Sequence, residues 1–188
     1  GGDVLITNTG GTASTLTVDL DTGTQVYQGQ ITGTGANELN LVKSGAGTQV
    51  IENLTTNGAG TLTDHNYNST TVDGGTLKFL ADSTLDTFVP GGAIEGIPNN
   101  ITINNGSRLE FEDTALENRS VFQVDTITFG AAGGGTIDFI SGNFLFQGTA
   151  VSGNTANDQF VTTGGARNTI TTSNNAILNA QINNSIEF

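Results

Sequence analysis

The sequence predicts an all-β chain wound as a single-stranded solenoid, and three observations predict it. Short runs with the strand period of two alternate with turns of a few residues rich in Gly, Asn and Asp. An aliphatic, charged, phenylalanine signature recurs at Leu77-Lys78-Phe79, Leu109-Glu110-Phe111, Ile137-Asp138-Phe139 and Ile186-Glu187-Phe188. Helix-building material is missing: 27 of 188 residues are Gly, 12% are charged, and Ala, Leu, Glu and Lys never gather into a helical stretch.

The opening stretch gives three alternating runs, Val4 to Thr7, Thr15 to Leu20 and Gln25 to Ile31, separated by NTGG and DTG. From Leu41 to Phe79 the runs GTQVI, GTLT, TTV and GTLKF are parted by SGAG, TNGAG, DHNYN and DGG, clusters that supply the positive φ of tight corners. Asn53 to Thr63 nearly copies the preceding KSGAGTQV and reads as one inserted rung. Ala81 to Asn100 holds both prolines, Pro90 and Pro98. Proline cannot donate to a ladder, so a loop protruding from the wall is expected around 81–100 before strands resume at Ile101.

In the recurring signature the two apolar side chains share a face and the charge between them points away. The phenylalanines are 32, 28 and 49 residues apart, the last spacing reading as two coils. Stacked coils would therefore align Phe79, Phe111, Phe139 and Phe188 in an internal column beside Leu77, Leu109, Ile137 and Ile186. Lys78, Glu110, Asp138 and Glu187 are then expected on the solvated outside. A coil of roughly 20 to 25 residues, about eight in all, fits the usual repeat range. The competing reading of the same alternation is an ordinary sandwich core. Asparagine doublets at Asn99-Asn100, Asn104-Asn105, Asn174-Asn175 and Asn183-Asn184 suit amide ladders between coils or plain turns.

YQGQITGTG (Tyr27 to Gly35), LVKSGAGTQVI (Leu41 to Ile51) and NYNSTTVDGGTLKF (Asn66 to Phe79) together resemble the repeat associated with autotransporter passenger domains. That repeat runs from an aromatic-x-G segment through K-x-G-x-G-T and N-x-Y segments to a terminal GGTL. The resemblance covers Leu5 to Phe79 and is looser beyond. It implies a right-handed parallel β-helix exported to the bacterial cell surface. The insertion at Asn53 to Thr63 departs from the pattern, and the sequence contains neither a signal peptide nor a membrane barrel.

With 18 acidic against five basic residues, the net charge of −13 repels nucleic acid and anionic membranes, and no basic patch overrides it. No apolar run approaches the roughly 18 residues of a membrane span. Without Cys there are neither disulfides nor thiolate metal sites. Nothing divides residues 1–188, which are read as one domain. Because the chain lacks Met, starts at Gly1-Gly2 and stops at SIEF in mid-pattern, we expect a fragment or processed segment of a longer repeat protein.

Candidate chemistry is sparse. The single histidine, His65, sits in a turn without further ligands or a nucleophile beside it in sequence, and reads as solvated. Asp19 and Asp21 in VDLDTG match the opening of a calcium loop but lack its later acidic ligand, so calcium competes there with a plain corner and no other cofactor is expected. Glu110 and Glu112 in RLEFED are about 7 Å apart along one strand face, within reach of acid and base roles on a glycoside, a geometry any i, i+2 pair shares. The leading expectation is a non-catalytic structural segment of a secreted or surface-displayed protein, a stalk, fibre or surface-layer component. It would join copies of itself or adjacent repeats through exposed end strands. An adhesin or carbohydrate-binding module contacting surface glycans is the alternative, and a polysaccharide lyase or glycosidase the second.

Overall fold

Runs of two to six alternating residues are each followed by a corner, so the chain winds in short straight segments. The computed structural model describes residues 4–33, 37–53, 56–57, 61–62, 66–81, 100–104, 106–114, 119–123, 126–141, 143–147, 159–162, 165–173 and 176–180. The first coil is β1 (Leu5–Thr7), β2 (Ser14–Asp19) and β3 (Thr24–Tyr27), and the second is β4 (Gln30–Gly33), β5 (Leu39–Ser44) and β6 (Thr48–Asn53). After the short β7 (Thr56–Asn57) and β8 (Thr61–Leu62), the third coil is β9 (Asn66–Tyr67), β10 (Ser69–Val72) and β11 (Thr76–Ala81). The fourth contributes β12 (Asn100–Ile103) and β13 (Arg108–Asp113), and the fifth is β14 (Arg119–Gln123), β15 (Thr126–Phe129) and β16 (Thr136–Ser141). The sixth is β17 (Asn143–Gln147), β18 (Gln159–Thr162) and β19 (Thr169–Thr172), and β20 (Ile177–Ala180) follows.

Corresponding strands pair in parallel from coil to coil, which makes the protein a β-solenoid and rules out the sandwich. One wall is the six-stranded sheet β2-β5-β10-β12-β15-β18, another the six-stranded sheet β3-β6-β11-β13-β16-β19. The remaining face comprises β1-β4-β9 and β14-β17-β20. The expected loop around 81–100 lies almost wholly outside the described residues, as do Ile186, Phe188 and His65.

Three expectations are corrected. The first coil takes 24 residues (Val26 to Val50), within the 20 to 25 expected, but later coils take up to 33 (Phe139 to Thr172), and each long wall is six strands deep among the described residues, not about eight. The extra residues lie mostly in the connections into the first long wall, which grow from five residues between β4 and β5 (34–38) to eleven between β17 and β18 (148–158), and less in the corner between the two long walls, which grows from residues 45–47 to 163–168. Asn53 to Thr63 is not an added rung, because β7 and β8 pair only with each other, antiparallel; an eleven-residue insertion is too short to circle the stack. Gln25 to Ile31 is broken by a corner at Gln28-Gly29, where a Cβ on Gly29 would lie 1.9 Å from the Val4 carbonyl.

Glycine makes the corners close. Gly75 has φ 59° and a Cβ there would stand 2.4 Å from the carbonyl of Gly47 one coil earlier. Inside, Leu77, Leu109 and Ile137 are stacked in register and fully buried. Beside them Phe79 lies on Phe111 with ring centroids 5.8 Å apart, and Phe111 on Phe139 at 5.4 Å. Offset-stacked rings at such distances contribute about 0.5–1.5 kcal/mol per pair beyond area burial. The second long wall supplies Ile101 over Ile127 and Ile103 over Phe129, closing the apolar interior.

Candidate functional site: outer wall, inner corner and open end

On the outer face of the Phe-bearing wall, Glu110 and Asp138 lie directly opposite each other on neighbouring strands. Like charges so placed repel. Arg108 answers both: its Nε is 2.6 Å from Glu110 Oε1 and its Nη2 bonds Asp138 Oδ2. Thr171 Oγ1 donates to Asp138 Oδ1 at 2.8 Å and Ser173 Oγ at 3.1 Å. On the other side Lys78 pairs with Glu112. The expectation of solvated charges is thus corrected. Lys78 and Glu110 are half-buried within ion pairs, and Asp138 is only 4% exposed, because strands about 4.8 Å apart let one long Arg fold across two carboxylates. Glu110 and Glu112, the candidate acid and base, each face a cation and so form part of a brace running across β11, β13 and β16.

Inside, the column formed by Val18, Lys43, Val72, Ile103 and Phe129 contains a lysine. Lys43 is 0% exposed. Its Nζ donates to the carbonyls of Ser44 (2.5 Å), Gly45 (2.9 Å) and Gly74 (3.3 Å), joining the corners of two successive coils. Burial pushes its pKa below the ordinary lysine value, while the nearby charges of Asp19 and Asp21 oppose that shift. The two aspartates singled out for calcium therefore stand beside an ammonium, and Asp19 Oδ1 also accepts from Ser44 Oγ at 3.0 Å. Among the described residues no three His, Asp or Glu gather as a metal site. Tyr67, buried at 3% exposure, shares a hydrogen bond of 2.9 Å with Thr70, and burial raises its pKa well above that of a free phenol.

The N-terminal end of the stack is different. Among the described residues β1, β2 and β3 have a partner on one side only. Val4, Leu5 and Val26 are 58%, 56% and 55% exposed, and the inward-facing Leu16, Val18 and Tyr27 are covered only in part.

No family model, curated protein or solved structure matches this chain. What the arrangement can do is accordingly read from its own geometry: a braced wall and a corner pinned by an ammonium. Among the described residues no helix is long and apolar enough to cross a membrane.

Sequence reasoning placed Leu77, Phe79, Leu109, Phe111, Ile137 and Phe139 together, and the structure brings all six into two adjacent columns. It missed Lys43, although Leu39, Leu41 and Lys43 share one phase of the LNLVK alternation and a Gly-rich corner follows. One side-chain amide bond between coils, from Asn68 Nδ2 to Asn40 Oδ1 (2.9 Å), occurs at a place no asparagine doublet marks, while of the doublets only Asn100 and Asn104 lie within the described residues.

Proposed function

We propose that this chain is a non-catalytic structural segment, a piece of stalk, fibre or surface layer that extends by stacking β-coil on β-coil. The observation that carries this reading is the coil-on-coil parallel pairing itself, with β1, β2 and β3 partnered on one side only among the described residues and Val4, Leu5 and Val26 exposed beside them. The ion pairing of Glu110 and Glu112 supports it, since the best-placed carboxylates are spent on holding strands together. A surface-displayed or extracellular setting rests on the likeness of Leu5 to Phe79 to the autotransporter passenger repeat. A glycan-binding reading draws on outward threonines in register at Thr71, Thr102 and Thr128, and a saturable hit on a glycan array would favour it.

The test is a tandem chain with two copies in series, followed by hydrogen exchange. Stacking predicts that amides of β2 and β3 in the second copy exchange at least about tenfold more slowly than in the first, as a newly paired edge should. Equal exchange in both copies rejects the stacking function.

A further inference from the structure

We propose that the outer face of the wall β2-β5-β10-β12-β15 binds ice, through a two-dimensional array of hydroxyl and methyl groups that holds water in lattice positions. This goes beyond the stacking function and does not depend on it. Leu41, Val72, Ile101, Ile103, Ile127 and Phe129 turn into the core, so the residues alternating with them face out. Those outward residues form two ranks along the stack. One is Thr17, Val42, Thr71, Thr102 and Thr128, and beside it run Thr15, Asn40, Ser69 and Asn100. Every member of the first rank is β-branched, which restricts χ1 and fixes where its methyl groups stand. In the second rank Asn40 Oδ1 accepts from Ser69 Oγ at 2.7 Å and from Asn68 Nδ2 at 2.9 Å, so these side chains are fixed as well. The hydroxyls of Thr17, Thr71, Thr102 and Thr128 have no partner among the described residues, which leaves them to water.

Within a rank the spacing is that of neighbouring strands, about 4.8 Å, and between the ranks it is two residues along a strand, about 6.8 Å. Both are close to the repeats of water oxygens on a prism face of hexagonal ice. The register holds without a bulge from β2 to β15, whereas the other long wall shifts between Phe111 and Glu112. Charge separates the two walls in the same way. The chain carries 18 acidic and five basic residues, yet neither rank contains one, while Lys78, Arg108, Glu110 and Asp138 crowd the outer face of the Phe-bearing wall. An ice lattice has no site for an ion, so the neutral wall complements it and the charged wall does not. Sugar sites draw on aromatic side chains and concave pockets, and neither rank holds an aromatic residue. A chain anchored by such an array makes the ice front bulge between bound molecules, so growth resumes only below the melting point.

Nanolitre osmometry on the purified chain should show a gap between melting and freezing with faceted crystals, and the chain should be enriched in slowly grown ice. Thr102→Lys sets a long charged side chain in the middle of the array and should abolish both effects. Thr71→Lys repeats that test one coil away, and urea midpoints identify which variants remain folded. Thr48→Lys puts the same charge on the outer face of the other long wall and should change neither effect. A native chain that freezes at its melting point and is excluded from ice overturns the proposal. So does a folded Thr102→Lys or Thr71→Lys variant that keeps the gap, or a folded Thr48→Lys variant that loses it as fully. Saturable glycan-array binding that Thr102→Lys removes, with no freezing gap, gives the wall to sugars and also overturns ice binding. None of these results bears on stacking, which the tandem exchange experiment decides separately.

Discussion

In the Phe-bearing wall the third to fifth coils hold Phe79, Phe111 and Phe139 in one column and Leu77, Leu109 and Ile137 in the next. Towards the N-terminus the same two columns end in Ile51 and Tyr27, and in Gln49 and Gln25. The central coils are thus covered above and below by their own kind. In the first coil Tyr27 turns its hydroxyl to the Val4 carbonyl (2.6 Å), and one coil later Gln49 donates to the Val50 carbonyl (2.8 Å). A solenoid therefore does not distribute stability evenly. Among the described residues a central coil draws on two neighbours and the first on one.

The sharpest way to break that contrast is Phe111→Ala. Phe111 is fully buried between two rings, so its truncation should cost about 3–5 kcal/mol in urea unfolding. Tyr27→Ala removes a half-buried ring from the first coil and should cost about half as much or less. Equal losses would mean that the end coil is as firmly held as the centre.

Next in size is the outer brace. Asp138→Ala removes the acceptor shared by Arg108, Thr171 and Ser173 and should cost about 2 kcal/mol, as loss of a buried charged hydrogen-bond partner does. Arg108→Ala should cost less, since that side chain is 40% exposed. A double-mutant cycle between them should show coupling of about 0.5 kcal/mol or more. Strict additivity would mean the contact braces nothing.

The apolar columns were legible in the sequence because period-two alternation assigns Leu77, Phe79, Leu109 and Phe111 to one face whatever the topology. The coil length was not, because corners differ in length and the repeat of Phe spacings conceals where the extra residues sit. Lys43 and Gln49 were invisible to a search for inward apolar residues: both face the interior, and each donates to main-chain carbonyls, some local and one on a neighbouring coil, Gly74 for Lys43 and Gln25 for Gln49. Asp138 was assigned to the correct face and the wrong environment, since alternation gives direction while Arg108 and the next coil decide burial.

The smallest effect separates Lys43 from Tyr67 by pH. Lys43 has its folded pKa lowered below the ordinary 10.5, so between that lowered value and 10.5 the unfolded chain binds more protons and stability rises with pH. Tyr67 has its folded pKa raised above the ordinary 10.0, so above pH 10 the unfolded chain ionises first and stability falls. Near pH 10 the two slopes oppose each other in the native chain. Lys43→Met should therefore steepen the alkaline loss of stability, and Tyr67→Phe should flatten it, as read from urea midpoints between pH 8 and 11. If Lys43→Met leaves the slope untouched, its ammonium is not held in the interior, and the carbonyls of Ser44, Gly45 and Gly74 must find their donors elsewhere.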